Sequence, residues 1–253
     1  MPEGYVYENM QKVELERELE EISGIEYDGN NTFLAHNDEK GIIYKLDNAY
    51  KITTSFPFGE EGDYEEVKKI NDELYVLKSK GDLVSMDYDG TAVNKVEEYK
   101  WPGEKAEFEA MYYDEQQQYL VLICKQKKGD KESRTTQGYA FYPGENRFET
   151  EAVFSLSWDE AAQVAGMEIK SLRPSAAALH PVTGELYLLA SSGKLLLVLE
   201  RDGSVKEVHQ LDKKGFPQAE GITFDEKGNL YITNEAADED RATLLSFAYQ
   251  AAN

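Results

Sequence analysis

The chain has 253 residues, of which 41% are hydrophobic, and a single cysteine, Cys124, inside the apolar run Leu120–Cys124. That length is enough for a full core without staples, and one cysteine excludes both a disulfide framework and a zinc site built on cysteines. Acids outnumber bases 49 to 27, for a formal charge of −22; nucleic acid, which needs a basic face, is therefore not an expected partner, and the excess charge serves solubility or attracts cations.

The opening residues Met1–Tyr5 have neither a basic n-region nor an apolar h-region, and no run approaches the length of a membrane helix. The expectation is a soluble chain with no signal sequence and no transmembrane segment. Short alternating segments rich in Val, Ile, Leu and Tyr follow one another from there, separated by Asp, Asn, Gly and Lys turns, the pattern of consecutive antiparallel strands. In the first unit the strands fall at 22–27, 32–35, 41–46 and 49–55. The same frame returns in "GDYEEVKKINDELYVLKSKGDLVSMD", in "AEFEAMYYDEQQQYLVLICK", in "LRPSAAALHPVTGELYLLASSGKLLLVLERDG" and in "PQAEGITFDEKGNLYITNE".

Aligned on their first strands, the units place Ser23, Glu65, Glu109, Ser175 and Glu220 at one position, with spacings of 42, 44, 66 and 45. Four strands in about 40–45 residues is the signature of a propeller blade. The long step contains a polar hairpin at 125–138 and an inserted helix near 157–166, with Ser157 as N-cap and Glu160 completing a capping box. Only three strands remain for the last unit, at 221–225, 229–233 and 243–248. Its fourth is expected from Tyr7–Leu15, carried across as a clasp that hides an open edge. The reading is all-β: one five-bladed propeller of four-stranded antiparallel blades spanning 1–253.

Inner strands line the channel of a propeller, so Ser23, Glu65, Glu109, Ser175 and Glu220 should ring one mouth. All five are oxygen donors, and three are carboxylates. Two carboxylates about 5 Å apart repel by roughly 3 kcal/mol at an effective dielectric near 20. A bound cation, pairing with Lys or Arg, or protonation relieves that repulsion. Carboxylates with neutral oxygens suit calcium, which tolerates irregular geometry, better than magnesium or zinc. The expected metal ligands are Glu65, Glu109 and Glu220, with Ser23 and Ser175 as further members of the mouth. Asp38 and Glu235, at the ends of second strands, should return to the same mouth. Arg173 and Lys125 are the candidate charge partners. The histidines His36, His180 and His209 have no metal spacing. No nucleophile elbow, phosphate loop or dinucleotide fingerprint is present, and the acidic run at 237–242 lacks calcium-hand spacing.

The stretches "ELEEISGIEYDGNNTFLAHNDEKGIIYKLD" and "QAEGITFDEKGNLYITNE" resemble the SdiA-regulated family of bacterial propeller proteins, and more distantly NHL-repeat propellers. The likeness runs from about Leu15 to the end. It implies five blades, a calcium site, and a place in the bacterial periplasm or envelope, without implying an activity. The glutamates matching its Glu-Gly-Ile strand starts are Glu65, Glu109 and Glu220, although the second blade reads Glu65-Glu66-Val67 and the third Glu109-Ala110-Met111. The expected function is a non-enzymatic, monomeric calcium-binding propeller that presents loops to a protein or small-molecule ligand. The alternative is a metal-dependent hydrolase of phosphoesters or lactones with Asp38 or Glu235 as general base. A third reading is a scaffold whose ring is neutralised by Arg173 and Lys125.

Overall fold

The computed structural model describes residues 1–236 and 239–251; Ala237 and Asp238 of the acidic run lie outside the described residues. After a single 3-10 turn at Tyr7–Asn9, the chain enters β1 (Gln11–Glu14). Blade one is β2 (Ile22–Gly29), β3 (Thr32–Asn37), β4 (Ile42–Leu46) and β5 (Ile52–Pro57). Blade two is β6 (Tyr64–Ile70), β7 (Glu73–Lys78), β8 (Leu83–Tyr88) and β9 (Val93–Tyr99). Blade three is β10 (Ala106–Asp114), β11 (Tyr119–Lys127), β12 (Thr135–Tyr142) and β13 (Arg147–Ser157), with the short helix α1 (Asp130–Ser133) at its central turn. Helix α2 (Trp158–Ala165) follows, and then blade four: β14 (Ala176–Leu179), β15 (Leu186–Ala190), β16 (Leu195–Leu199) and β17 (Val205–Gln210). The last blade is β18 (Ala219–Phe224), β19 (Leu230–Asn234) and β20 (Thr243–Phe247), completed by β1 on its outer edge.

The five sheets are five-bladed propeller blades, as the repeat predicts. Each inner strand packs against the next in the order β18, β2, β6, β10, β14 and back to β18, which closes the ring. The cause is visible in the side chains. Along β15, Leu186, Leu188 and Ala190 join the core shared with blade three, while Tyr187 and Leu189 join the core shared with the last blade. A strand with period-two side chains that is apolar on both faces must be sandwiched. Five such cores fill the five interfaces between blades, and each fully buried Leu, Ile, Val or Phe contributes about 1.5–3 kcal/mol. Cys124 lies in one of them, its thiol raised to about 12 by burial.

Backbone hydrogen bonds also cross between blades near one end of the ring. The carbonyl of Asp38 accepts from Tyr64 N–H at 2.8 Å, and that of Ser79 accepts from Phe108 N–H at 2.8 Å. Half of the polar segment at 125–138 is strand, since β11 runs to Lys127 and β12 begins at Thr135, with α1 in the turn between them. Helix α2 has the expected N-cap: Ser157 Oγ accepts from Glu160 N–H at 3.3 Å. The capping box is incomplete, because the Glu160 carboxylate accepts instead from Val205 N–H of β17 at 3.2 Å, tying the inserted helix to blade four.

The clasp is shorter than the sequence suggests, because Tyr7–Asn9 turns where a strand was expected. It is nonetheless well tied. Val13 pairs with Leu244, Leu15 N–H donates to Ala242 at 2.9 Å, and the buried Tyr5 hydroxyl donates to the Gly228 carbonyl at 2.6 Å. Deleting residues 1–15 should lower the thermal midpoint of the whole protein in one cooperative step, because blade five then exposes an edge and its core. Circular dichroism melting checks this; an unaltered midpoint, or loss of a minor phase alone, would contradict it.

Candidate functional site

Four of the five inner strands carry an irregularity at the same place. In β2, Ile22 faces Asn37 and Gly24 faces His36, which leaves Ser23 as an extra residue. In β6 the extra residue is Glu65, in β10 it is Glu109 and in β18 it is Glu220. Ser175 stands just before β14, its N–H bonded to Leu189, the residue that also opposes Ala176. A bulge re-aims one side chain out of the alternation. Here it gives the five equivalent positions a common backbone setting at the channel end of each blade.

A cavity of about 340 Å³ opens there. Seven carboxylates line it: Glu21, Asp38, Asp63, Glu65, Glu109, Glu220 and Glu235. Among the described residues lining it, Lys125 is the one cation, and its ammonium donates to the Glu109 carboxylate. Glu65, Glu109 and Glu220 thus share one space with Asp38 and Glu235. The serines differ. Ser23 Oγ borders the cavity but donates to the Glu65 carbonyl at 2.9 Å, and Ser175 Oγ is buried and donates to the Ala219 carbonyl at 2.8 Å. Both hydroxyls latch one blade to the next. Arg173 lies outside this cavity and donates to Gln126 Oε1 at 3.0 Å.

Glu21 and Asp63 were not anticipated. Each lies two residues before a ring position, just ahead of the inner strand, so the spacing "Glu-Ile-Ser" and "Asp-Tyr-Glu" held the signal. The Asp63 carboxylate accepts from Ser79 Oγ, and Gln218, two residues before Glu220, donates to Glu235. Asp38 Oδ1 is buried with no hydrogen-bond partner among the described residues.

Crowding and burial shift the protonation of this set. Burial, then the charges of Glu109 and Asp63, push Glu65 up to about 9. Burial, then a hydrogen bond and repulsion from Glu21, push Glu235 up to about 8. Burial and Glu109 push Glu220 up to about 7, and burial with Glu21 and Glu39 pushes Asp38 up to about 6. Burial also raises Glu109 despite Lys125 beside it. Burial alone would lower Lys125, but Glu109, Glu65 and Glu220 outweigh it and hold the ammonium charged.

The departure at Glu66 has a structural counterpart. Its fully buried carboxylate lies against Gly24 of blade one, where a Cβ would come within 2.8 Å of Glu66 Oε1 and 2.6 Å of His36 Nε2. Lys68 Nζ, 3.3 Å from both Glu66 and Glu26, supplies the charge partner. His36 is lowered to about 4 by burial and is neutral, its Nδ1 3.2 Å from the Asn37 carbonyl. A carboxylate in place of the expected glycine is accommodated because the neighbouring blade keeps its own glycine.

Fold and site define a five-bladed propeller with an acid-crowded channel mouth. The SdiA-regulated family model matches residues 4–237, and the chain belongs to that family. No curated protein sequence matches. Among solved structures, the chain is similar to glutaminyl cyclase from Myxococcus xanthus at 13% identity and TM-score 0.64, covering 95% of this chain and 96% of that one. It is similar to a putative glucose dehydrogenase from Thermus thermophilus at 10% identity and TM-score 0.55, covering 94% and 100%. A Bacteroides thetaiotaomicron protein of unknown function matches at 16% identity and TM-score 0.52, where 88% of this chain spans 55% of that one. At these identities the likeness is one of fold. Among the described residues no helix is long and apolar enough to cross a membrane.

The pKa directions fix the sign of a pH dependence. Acids raised in the folded state hold their protons more tightly there than when unfolded, so they stabilise fully below about pH 4 and lose that contribution as pH rises through their folded values. Those values lie near 6, 7, 8 and 9 for Asp38, Glu220, Glu235 and Glu65. In chelator, denaturant unfolding should therefore show lower stability at pH 9 than at pH 6, and Glu65→Gln should flatten the decline. Stability that is level or rising over that interval would contradict the crowding.

Proposed function

We propose that the channel mouth binds a hard divalent cation, calcium, and that the protein is a non-enzymatic calcium-binding propeller of the bacterial envelope whose mouth loops meet a ligand or protein partner. The observation that carries this reading is the gathering of seven carboxylates around one cavity with a single lysine. The donor set fits calcium: hard oxygens, several able to bind through one or two atoms, in an irregular arrangement that a six- to eight-coordinate ion accepts. Asp38 adds a buried oxygen with no partner among the described residues. As they stand, no three of the described acidic or imidazole groups converge tightly enough to form a ready shell, so binding would draw side chains inward and displace protons. Glu65, Glu109 and Glu220 would hold the ion from the inner strands, Asp38 and Glu235 from the second strands, with Lys125 released from Glu109. The envelope assignment rests on family membership.

Calcium titration calorimetry on chelator-stripped protein, with a melting curve at each calcium level, tests this. Saturable one-site binding with a rising midpoint is expected, and Glu109→Gln should weaken it by at least about tenfold, or 1.4 kcal/mol, while the fold persists. No heat and no shift would overturn the cation reading in favour of the lysine- and proton-neutralised scaffold.

One observation favours a second reading, a metal-dependent hydrolase. Asp38 and Glu235, at about 6 and 8, lie in the range suited to a general base near neutrality. Calcium-dependent cleavage of phosphoesters or lactones that is lost in Asp38→Asn or Glu235→Gln would select it.

A further inference from the structure

The mouth is electrically lopsided. Two residues before the ring positions stand Glu21, Asp63, Glu107, Arg173 and Gln218, so the acids of this outer set fall on blades one to three and its one cation on blade four. At the ends of the second strands, Asp38 belongs to blade one and Glu235 to blade five, whereas blade three places Lys125 there. Cations therefore collect where blades three and four meet. A second cavity, of about 450 Å³, opens at that place between the β11–β12 hairpin and the segment leading into β14.

Six of its lining side chains are cationic, namely Lys105, Lys125, Lys127, Lys128, Lys131 and Arg173, against three carboxylates. This is the reverse of the chain as a whole, which carries −22. One of the three acids, Asp130, is turned to the backbone, accepting from Lys127 N–H at 2.6 Å. Two of the cations are engaged, Lys125 with Glu109 and Lys127 with the Tyr139 hydroxyl at 2.7 Å and Glu104 at 3.6 Å. The other four, Lys105, Lys128, Lys131 and Arg173, have no carboxylate within 4.0 Å among the described residues. In a chain with nearly two acids for every base, the gathering of six cations around one groove, four of them without a carboxylate partner, points to an anion supplied from outside.

We propose that this groove binds a small phosphorylated ligand, a phosphate monoester. The volume is that of a small-molecule site. Three lysine ammoniums on flexible stems act as point charges for a doubly charged phosphoryl group, and Arg173, held by the neutral Gln126, keeps donors free for a forked contact with its oxygens. Lys125 lines both cavities. A ligand anchored by its phosphoryl group in the groove therefore extends its other end over Lys125 toward the carboxylate-lined mouth. The groove does not depend on a cation in that mouth.

The test is titration of phenyl phosphate into the full chain, in chelator and about 150 mM salt (about an 8 Å screening length), with benzenesulfonate as a singly charged probe of similar shape. Saturable one-to-one binding of phenyl phosphate, at least about tenfold tighter than benzenesulfonate, is expected. Lys128→Gln with Arg173→Gln, both off the blade cores, should weaken it at least about tenfold, Arg173→Gln alone should weaken it measurably, and Lys213→Gln should leave it unchanged. No saturable binding would overturn the proposal, as would equal affinity for the two probes, which is diffuse charge attraction, or undiminished affinity in the double variant. Because calcium is absent throughout, these outcomes are independent of the cation reading.

Discussion

One extra residue at the channel end of an inner strand is the constraint on which the mouth depends. A regular strand would send alternate side chains into the two interblade cores, as β15 does with its leucines. The bulge takes one residue out of that alternation and turns it to the mouth. It does so for Ser23, Glu65, Glu109 and Glu220 in succession. The residue after each bulge returns to the seam between blades, where only small side chains fit unless the neighbour makes room. Gly24, Ala110, Ala176 and Gly221 obey this, and Glu66 is accommodated by Gly24 across the seam. The bulges thus separate two roles along a few residues: apolar packing that closes the ring, and polar groups that face its opening.

Closure is what makes the polar groups costly. Five apolar cores and cross-blade hydrogen bonds hold the inner strands together, so the acids at their ends cannot spread apart to relax. Burial first, and their repulsion second, leave protons on Glu65 and Glu235 near neutral pH. Lys125 bonds one carboxylate, Glu109, and its charge offsets only part of the rise at Glu65 and Glu220. The two ring serines add no charge, and their hydroxyls are used as latches between blades one and two and between blades four and five. The two proposed sites rest on the resulting electrical asymmetry, seven carboxylates around the mouth and six cations around the groove where blades three and four meet.

Much of this was legible in the sequence because a blade is written locally. Turn residues and period-two alternation marked nearly every strand, and the missing fourth strand of the last unit pointed to the N-terminal clasp. The helix at 158–165 followed from Ser157. What the pattern did not carry was register. A bulge shifts pairing by one residue without disturbing the alternation on either side, so the ring could be named but not its backbone cause. Direction was equally hidden: Arg173 and Glu107 occupy the same repeat position as Glu21 and Asp63, yet border the neighbouring groove. Glu160 was in place for a capping box but found the free N–H of Val205, a contact between segments 45 residues apart in sequence.

We propose that protons on the mouth carboxylates stand in for a divalent cation. Calcium binding must then release them, since ligating carboxylates are deprotonated. The direct measurement is calcium calorimetry at pH 7 in buffers of different ionisation enthalpy, which counts the protons exchanged per ion bound. With Glu65 near 9 and Glu235 near 8 before binding, release of about one proton or more per calcium is expected. Saturable binding with no proton released, or no binding at all, would contradict it.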